Sequence, residues 1–113
     1  MTRKVLYSAA AVADLDEIRD WVAGETGDDA GARAVARRVA ERAGLLGGFP
    51  EMGRVLPETL GVGKGYRHLV AGAWRVFSRV EGETVRIDRI LHSRRNHMQA
   101  LFGAGGAGER SVD

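Results

Sequence analysis

Residues 66–102, YRHLVAGAWRVFSRVEGETVRIDRILHSRRNHMQALF, form the stretch that decides the fold of this chain. The stretch is rich in β-branched and aromatic residues, which favour strands. Two pairs of residues, Gly72-Ala73 and Glu81-Gly82, interrupt its apolar runs, and a two-residue hairpin turn uses glycine for its positive φ. The pattern therefore predicts three strands joined by tight turns, and then a short helix. The strands are predicted at about residues 65–71, 74–80 and 84–91, and the helix from about Arg94 to Phe102.

Within these strands, successive side chains are expected on opposite faces of the sheet. The middle strand divides into Trp74, Val76, Ser78 and Val80 against Arg75, Phe77 and Arg79. The last strand divides into Val85, Ile87, Arg89 and Leu91 against Arg86, Asp88 and Ile90. Apolar residues on one side and several arginines on the other predict one face packed on helices and one open face.

The residues before this stretch predict one strand and a first helix. Residues 3–7 alternate in the manner of a strand, and Ser8 follows where a helix N-cap is expected. The helix is predicted from an apolar stripe whose steps are three, three and four residues. The stripe consists of Val12, Leu15, Ile18 and Val22, with Trp21 beside it and with Asp14, Asp16, Glu17 and Asp20 on the remaining surface. Gly24 and Gly27 are expected to end the helix.

A second helix is predicted to begin at Asp28 or Asp29, since either carboxylate can cap it and suits the helix dipole. Gly47-Gly48 is expected to end it. Its stripe consists of Ala32, Val35, Ala36, Val39, Ala43 and Leu46. Because several of these residues are small, the two helices are expected to pack closely as an antiparallel hairpin. The three glycines between residues 61 and 65 predict a mobile loop.

The composition indicates a single domain. The chain has 113 residues, which suits one core; residues 1–102 are predicted to form it, and residues 103–113 are expected to be disordered. The chain has no cysteine, which excludes disulfides and a cysteine nucleophile. Its three histidines lack a helical i,i+4 pair, so neither a metal nor a cofactor is predicted.

The charge distribution predicts an anionic partner for one part of the surface. Residues 1–53 carry seven basic and nine acidic side chains, whereas residues 54–102 carry nine basic and four acidic ones. A basic half of this kind favours contact with an anionic surface. No apolar run approaches the ~20 residues of a membrane helix, and acidic residues follow the N-terminus too soon for a signal peptide. A cytoplasmic location without a membrane partner is expected.

The order of these elements, together with several short motifs, resembles a known family. The motifs are Leu15-Asp16-Glu17-Ile18, Phe49-Pro50-Glu51-Met52-Gly53-Arg54, Tyr66-Arg67-His68-Leu69, the run from Trp74 to Val80 and the run from Ile87 to Arg95. The chain resembles the RelE/ParE superfamily of toxins from bacterial type II toxin–antitoxin pairs, in particular its ParE-like, plasmid-stabilisation branch. The resemblance covers about residues 3–102. It implies an α+β fold: an antiparallel sheet of about four strands, an N-terminal helical hairpin on one face and a short C-terminal helix.

The resemblance also implies a function. Such a toxin halts growth and is neutralised by a cognate antitoxin, with which it forms a hetero-oligomer. ParE-like members are known as inhibitors of DNA gyrase, which predicts a stoichiometric inhibitor rather than an enzyme. RelE-like members cut mRNA on the ribosome, so an endoribonuclease is the alternative, and an inactive relic that only binds its antitoxin is a third. One fold hosts all of these functions, so the residues must distinguish them.

Candidate residues follow for each role. For the target surface the candidates are Arg67, Arg75, Arg89, Arg94 and Arg95. For the antitoxin surface they are Leu15, Ile18, Trp21, Trp74 and Phe77. For RNA cleavage, which needs a base, an acid and cations, they are Glu58, Arg75, His92, Arg95 and His97. The family's nucleases usually carry a tyrosine near the C-terminus and many lysines, whereas this chain has His97-Met98 and two lysines. The gyrase inhibitor is therefore the preferred hypothesis.

Overall fold

A computed structural model describes residues 2–56 and 65–94 of the chain. The elements in chain order are β1 (Lys4–Tyr7), α1 (Ala9–Thr26), α2 (Asp29–Gly44), a 3-10 turn (Leu45–Gly47), β2 (Arg54–Val55), β3 (Arg67–Ala71), β4 (Trp74–Glu81) and β5 (Thr84–His92). The predicted helical hairpin and all four predicted strands are present. The predicted C-terminal helix beyond Arg94, most of the predicted loop at residues 61–65 and the tail at 103–113 lie outside the described residues.

The strands form one sheet in the order β1-β5-β4-β3-β2. The α+β class is confirmed, and the sheet differs from the expectation in two details. The described sheet has five strands rather than about four, because Arg54 and Val55 pair with β3; a strand of two residues is too short to show a period. The sheet is also mixed, because β1 runs parallel to β5 while the other pairs are antiparallel.

The helix N-caps and the Gly72-Ala73 turn form where the sequence places them. The second turn is shifted by one residue, because Glu81 pairs with Thr84 and the loop is Gly82-Glu83. Helix α2 ends at Gly44 and a 3-10 turn follows, so its predicted end at Gly47-Gly48 was too late.

The Ser8 hydroxyl accepts a hydrogen bond from the Ala11 amide at 3.0 Å and so caps α1. The Asp28 carboxylate does the same for α2 through the Gly31 amide, also at 3.0 Å. Helix α1 continues through Gly24 and ends before Gly27, whose φ of 70° is left-handed. None of the helices in this described part is long and apolar enough to cross a lipid bilayer.

The hydrophobic core lies between the helical hairpin and one face of the sheet. It is formed by Ala11, Ile18, Val39, Ala43, Leu46, Leu69, Ala71, Val76, Val85, Ile87 and Ile90. The predicted stripe of α2 is confirmed, and that of α1 is right for Leu15, Ile18 and Val22 but wrong for Val12. Val12 is 50% exposed, whereas Ala11 is fully buried and Asp14 is only 4% exposed. The buried face of α1 thus contains a carboxylate that the sequence analysis assigned to the solvent side.

A β-bulge changes which residues of β5 enter the core. Ser78 lies opposite Ile87, but Phe77 lies opposite Arg89, so Asp88 is an extra residue in β5. One extra residue reverses the alternation beyond that point. Ile90 therefore lies opposite Val76 in the core and Leu91 lies opposite Arg75. The predicted division of β5 was right up to Ile87 and wrong after it.

Candidate functional site

Asp14 completes the edge of β5 beyond the end of β1. Strand β1 ends at Tyr7, and Ser8 then donates hydrogen bonds to two backbone carbonyls on this edge of β5. Its amide donates to the Ile87 carbonyl and its hydroxyl donates to the Asp88 carbonyl. The Ile90 amide then donates to the Asp14 carboxylate at 2.9 Å. A side chain of α1 therefore takes the place of the missing strand neighbour.

Arg89 closes the same arrangement as a bidentate ion pair. Its Nε donates to one oxygen of Asp14 at 2.8 Å and a terminal nitrogen donates to the other at 2.9 Å. The hydrogen bond to Asp14 raises the pKa of the Arg89 guanidinium, although burial opposes this. Paired, charge-assisted bonds of this kind are among the stronger polar contacts in proteins. Arg89 thus stabilises the fold from a position predicted to contact the target.

A groove runs between α1 and the ends of β4 and β5, and we call it the α1 groove. Its volume is about 680 Å³, and the described residues that line it are Asp14, Glu17, Ile18, Asp20, Trp21, Trp74, Ile90, Leu91, His92 and Arg94. Trp21 is 55% exposed. It meets Trp74 edge to face, with 6.0 Å between ring centroids, and Trp74 meets His92 in the same manner at 5.1 Å.

Three of the five residues predicted for the antitoxin surface meet in the α1 groove. Ile18, Trp21 and Trp74 line it together. Leu15 is partly buried and packs against the core. Phe77 lies elsewhere: it is buried and stacks on His68 at 6.2 Å, on the face of the sheet opposite Trp74. The structure thus gathers an aromatic surface at α1 but leaves Phe77 out of it.

The opposite face of the sheet carries the predicted arginines. Arg75 donates to Nδ1 of His68 at 2.9 Å. Arg79 pairs with Asp88 and with Glu81, both at 3.2 Å, and Arg86 approaches the same two carboxylates at 3.8 and 3.7 Å. Part of the positive charge on this face is therefore neutralised within the fold.

Tyr66 belongs to this network of charges. Its hydroxyl donates to Asp88 at 2.6 Å, and the Arg79 guanidinium lies over its ring at 5.5 Å. Burial, followed by the hydrogen bond and the charge of Asp88, raises the pKa of Tyr66 from 10.0 to about 12. Because the folded chain favours the neutral phenol, the Tyr66 hydroxyl stabilises the fold fully below pH 10, and this contribution is lost as the pH rises through 12.

We expect the difference in stability between the wild-type chain and Tyr66→Phe to become smaller as the pH rises. The wild-type chain should be more stable to urea than Tyr66→Phe below pH 10, and the difference should shrink between pH 10 and 12. Titration of phenolate absorbance checks the assignment, since Tyr66→Phe retains only Tyr7, whose pKa is also raised by burial. A difference in stability that does not change over this interval would contradict the role given to Tyr66.

The arginines predicted for the target surface do not form one cluster. Arg67 donates to the carbonyls of Glu51 and Gly53 at 3.2 and 3.4 Å, so it holds the segment before β2. Arg89 is paired with Asp14, and Arg75 lies on the opposite face. Arg94 is exposed at the end of β5, and Arg95 lies outside the described residues. Of the four described arginines, Arg94 is the exposed one, and Arg75 is bonded to the single side chain of His68.

The residues predicted for RNA cleavage are also separated. His92 lies opposite Trp74 in the sheet, whereas Arg75 is the next residue of β4 and points to the other face. Glu58, Arg95 and His97 fall outside the described residues. No group of three histidine, aspartate or glutamate side chains in residues 2–56 and 65–94 is arranged to hold a metal ion.

Solved structures of two toxin–antitoxin systems share this fold. The chromosomal ParDE system from P. aeruginosa superposes with a TM-score of 0.67 at 24% identity, covering 80% of this chain and 96% of that one. The RelBE2 toxin–antitoxin complex from Mycobacterium tuberculosis superposes with a TM-score of 0.60 at 23% identity, covering 81% and 99%. The chain thus shares its fold with proteins of a ParDE and a RelBE system.

Sequence comparison distinguishes between these branches. The family described as "ParE toxin of type II toxin-antitoxin system, parDE" matches residues 5–97. Toxin ParE1 of Mycobacterium tuberculosis is 36% identical over 95 residues, which cover 83% of this chain and 93% of that protein. The chain belongs to the ParE toxin family of type II toxin–antitoxin systems.

Proposed function

We propose that this toxin inhibits growth by binding DNA gyrase stoichiometrically in the cytoplasm, and that a cognate antitoxin neutralises it. Membership of the ParE toxin family carries the proposal, because ParE-like toxins are known as inhibitors of DNA gyrase. The position of His92 adds support. A nuclease would need Arg75 and His92 to approach the same phosphate, and the two side chains lie on opposite faces of the sheet.

The α1 groove is the surface that we assign to the antitoxin. Two solved structures that share this fold are of toxin–antitoxin systems, and an antitoxin would form a hetero-oligomer with the chain. The groove offers two tryptophans, one of them half exposed, and tryptophan is enriched among the residues that dominate binding energy at interfaces. Amphipathic segments commonly bind in grooves of this kind.

Arg75 and Arg94 are the residues that we assign to the gyrase contact. Arg67 and Arg89 were also predicted for it, but each makes at least two side-chain hydrogen bonds to the fold, whereas Arg75 makes one, to His68. Arg67 and Arg89 are therefore better suited to hold the surface in place. We expect Arg75→Ala combined with Arg94→Ala to raise the toxin concentration that half-inhibits supercoiling by about tenfold or more, since charged contacts at an interface control encounter and affinity. Supercoiling by purified gyrase measures this directly.

Arg37→Ala is the matched control, because Arg37 is an exposed arginine on α2. It should inhibit gyrase as the wild type does.

Expression of the chain alone in cells should cause growth arrest and altered plasmid supercoiling while transcripts stay intact. Co-expression of the antitoxin should restore growth. Cuts within translated codons would replace the gyrase proposal with the nuclease. A folded chain that causes neither would be a relic, and a folded Arg75→Ala/Arg94→Ala protein with full activity would refute the site.

A further inference from the structure

A second cavity lies where α2 meets the outer edge of the sheet, and it is lined by basic residues. Its volume is about 410 Å³. Its described lining consists of Arg42, Met52, Gly53, Arg54, His68, Leu69, Val70 and Arg75. We call it the basic pocket. It contains three arginines, and no carboxylate occurs among these described residues.

The pocket exists because β2 is short. Strand β2 pairs only with Arg67 and His68, so the outer edge of β3 from Leu69 onward has no strand neighbour among the described residues. Arg42 reaches this edge from α2, and its Nε donates to the Val70 carbonyl at 2.5 Å. This bond fixes the guanidinium at the pocket and leaves its two terminal nitrogens without a described hydrogen-bond partner.

Arg75 presents a donor at the same place. One of its terminal nitrogens is bonded to His68 Nδ1 at 2.9 Å; a guanidinium can only donate, so this ring nitrogen accepts. The Arg75 Nε is buried and has no hydrogen-bond partner among the described residues. A buried N–H without an acceptor is costly. The Nε atoms of Arg79 and Arg86 are likewise buried without a hydrogen-bond partner among the described residues, so what distinguishes Arg75 is that its guanidinium lines a pocket that an acceptor can enter.

The three pocket arginines differ in their charge balance from Arg79, Arg86 and Arg89 on the strands β4 and β5. Arg79, Arg86 and Arg89 each form ion pairs with carboxylates. Arg42, Arg54 and Arg75 form none with any described residue. Like charges held together repel one another, and an anion between them would offset that repulsion.

We infer that the basic pocket binds a phosphate group. Guanidinium groups offer parallel N–H donors that match the oxygens of phosphate in bidentate pairs. A carboxylate carries one charge and two oxygens, whereas inorganic phosphate or a terminal phosphate group carries up to two charges at neutral pH and at least three free oxygens. A nucleic-acid strand would instead supply several phosphodiester groups, each with one charge. The phosphate could be a free ion or nucleotide, or part of a nucleic-acid strand. The inference does not depend on gyrase as the target.

Binding of inorganic phosphate to the purified chain tests the inference. The titration should be made at constant ionic strength in a buffer without oxyanions. Calorimetry and the nuclear magnetic resonance signal of the Arg75 Nε–H group should be used to detect binding. We expect saturable binding that shifts this resonance. Arg42→Gln and Arg54→Gln should each weaken phosphate binding by about tenfold or more, because each substitution removes one guanidinium group. Arg37→Gln, which removes a charge from α2 away from the pocket, should leave it unchanged.

Two further ligands identify the source of the phosphate. A short single-stranded oligonucleotide that binds more tightly than a mononucleotide, and that loses affinity in the same two variants, would assign the pocket to a nucleic-acid backbone. Equal binding of mononucleotide and inorganic phosphate would assign it to a free phosphate. The inference is refuted if phosphate does not saturate the wild-type chain, or if Arg37→Gln weakens binding as much as the pocket variants do. These measurements are independent of the supercoiling assay, so each proposal can fail alone.

Discussion

Asp14→Ala is expected to lower the free energy of unfolding by about 3–5 kcal/mol, the range for removing one partner of a buried ion pair. Asp14 is 4% exposed and accepts from Arg89 twice and from the Ile90 amide once. Its removal leaves a guanidinium and a backbone N–H without their acceptor at the junction of α1 and β5. The substitution thus removes the three hydrogen bonds that join the N-terminal half of α1 to the edge of β5 beyond Ser8.

Urea unfolding followed by circular dichroism measures the effect. Asp16→Ala is the control, because Asp16 forms only an exposed ion pair with Arg19 at 3.7 Å, and such pairs contribute about 0–1 kcal/mol. Asp14→Asn keeps an acceptor for Ile90 but loses the charge, so we expect an intermediate loss. If Asp14→Ala is no more destabilising than Asp16→Ala, Asp14 does not hold α1 to β5.

Local sequence patterns predicted most of the fold. Caps at Ser8 and Asp28, the turns at Gly72 and Gly82 and the stripe of α2 each depend on neighbours within a few residues. The parallel pairing of β1 with β5 does not, because it joins the two ends of the described chain. The bulge at Asp88 has no local signature either; it lies where Ser8 and Asp14, both distant in sequence, bond to β5.

The candidate sites were predictable only in part, for the same reason. Asp14 was assigned to solvent because Asp16, Glu17 and Asp20 surround it, although it lies four residues before Ile18 on the same helical face. That spacing was a usable signal, but its partner Arg89 is 75 residues away. The basic pocket was not predicted, because Arg42 belongs to a run of helical arginines that are mostly exposed. Only the fold brings it to the edge of β3.

Trp21→Ala is expected to weaken antitoxin binding by about 2–4 kcal/mol, which is roughly thirtyfold to a thousandfold. Trp21 is the exposed member of the aromatic group in the α1 groove, and its ring is held in place by the edge of Trp74. A ring that is already ordered loses little conformational freedom when a partner covers it, so most of the buried apolar area contributes to affinity. Because Trp21 is 55% exposed, its replacement should change folding stability far less than it changes binding.

Val12→Ala provides the matched control for this prediction. Val12 is 50% exposed on the same helix but lies outside the α1 groove, half a helical revolution away. Calorimetry with the purified antitoxin should show Val12→Ala within about 0.5 kcal/mol of the wild type, the usual range for surface substitutions. In cells, co-expressed antitoxin should rescue growth from wild type and Val12→Ala but fail with Trp21→Ala. Equal rescue of Trp21→Ala, with equal affinity in the calorimeter, would mean that the antitoxin binds a different surface, because a tryptophan at the centre of an interface cannot be removed without such a loss.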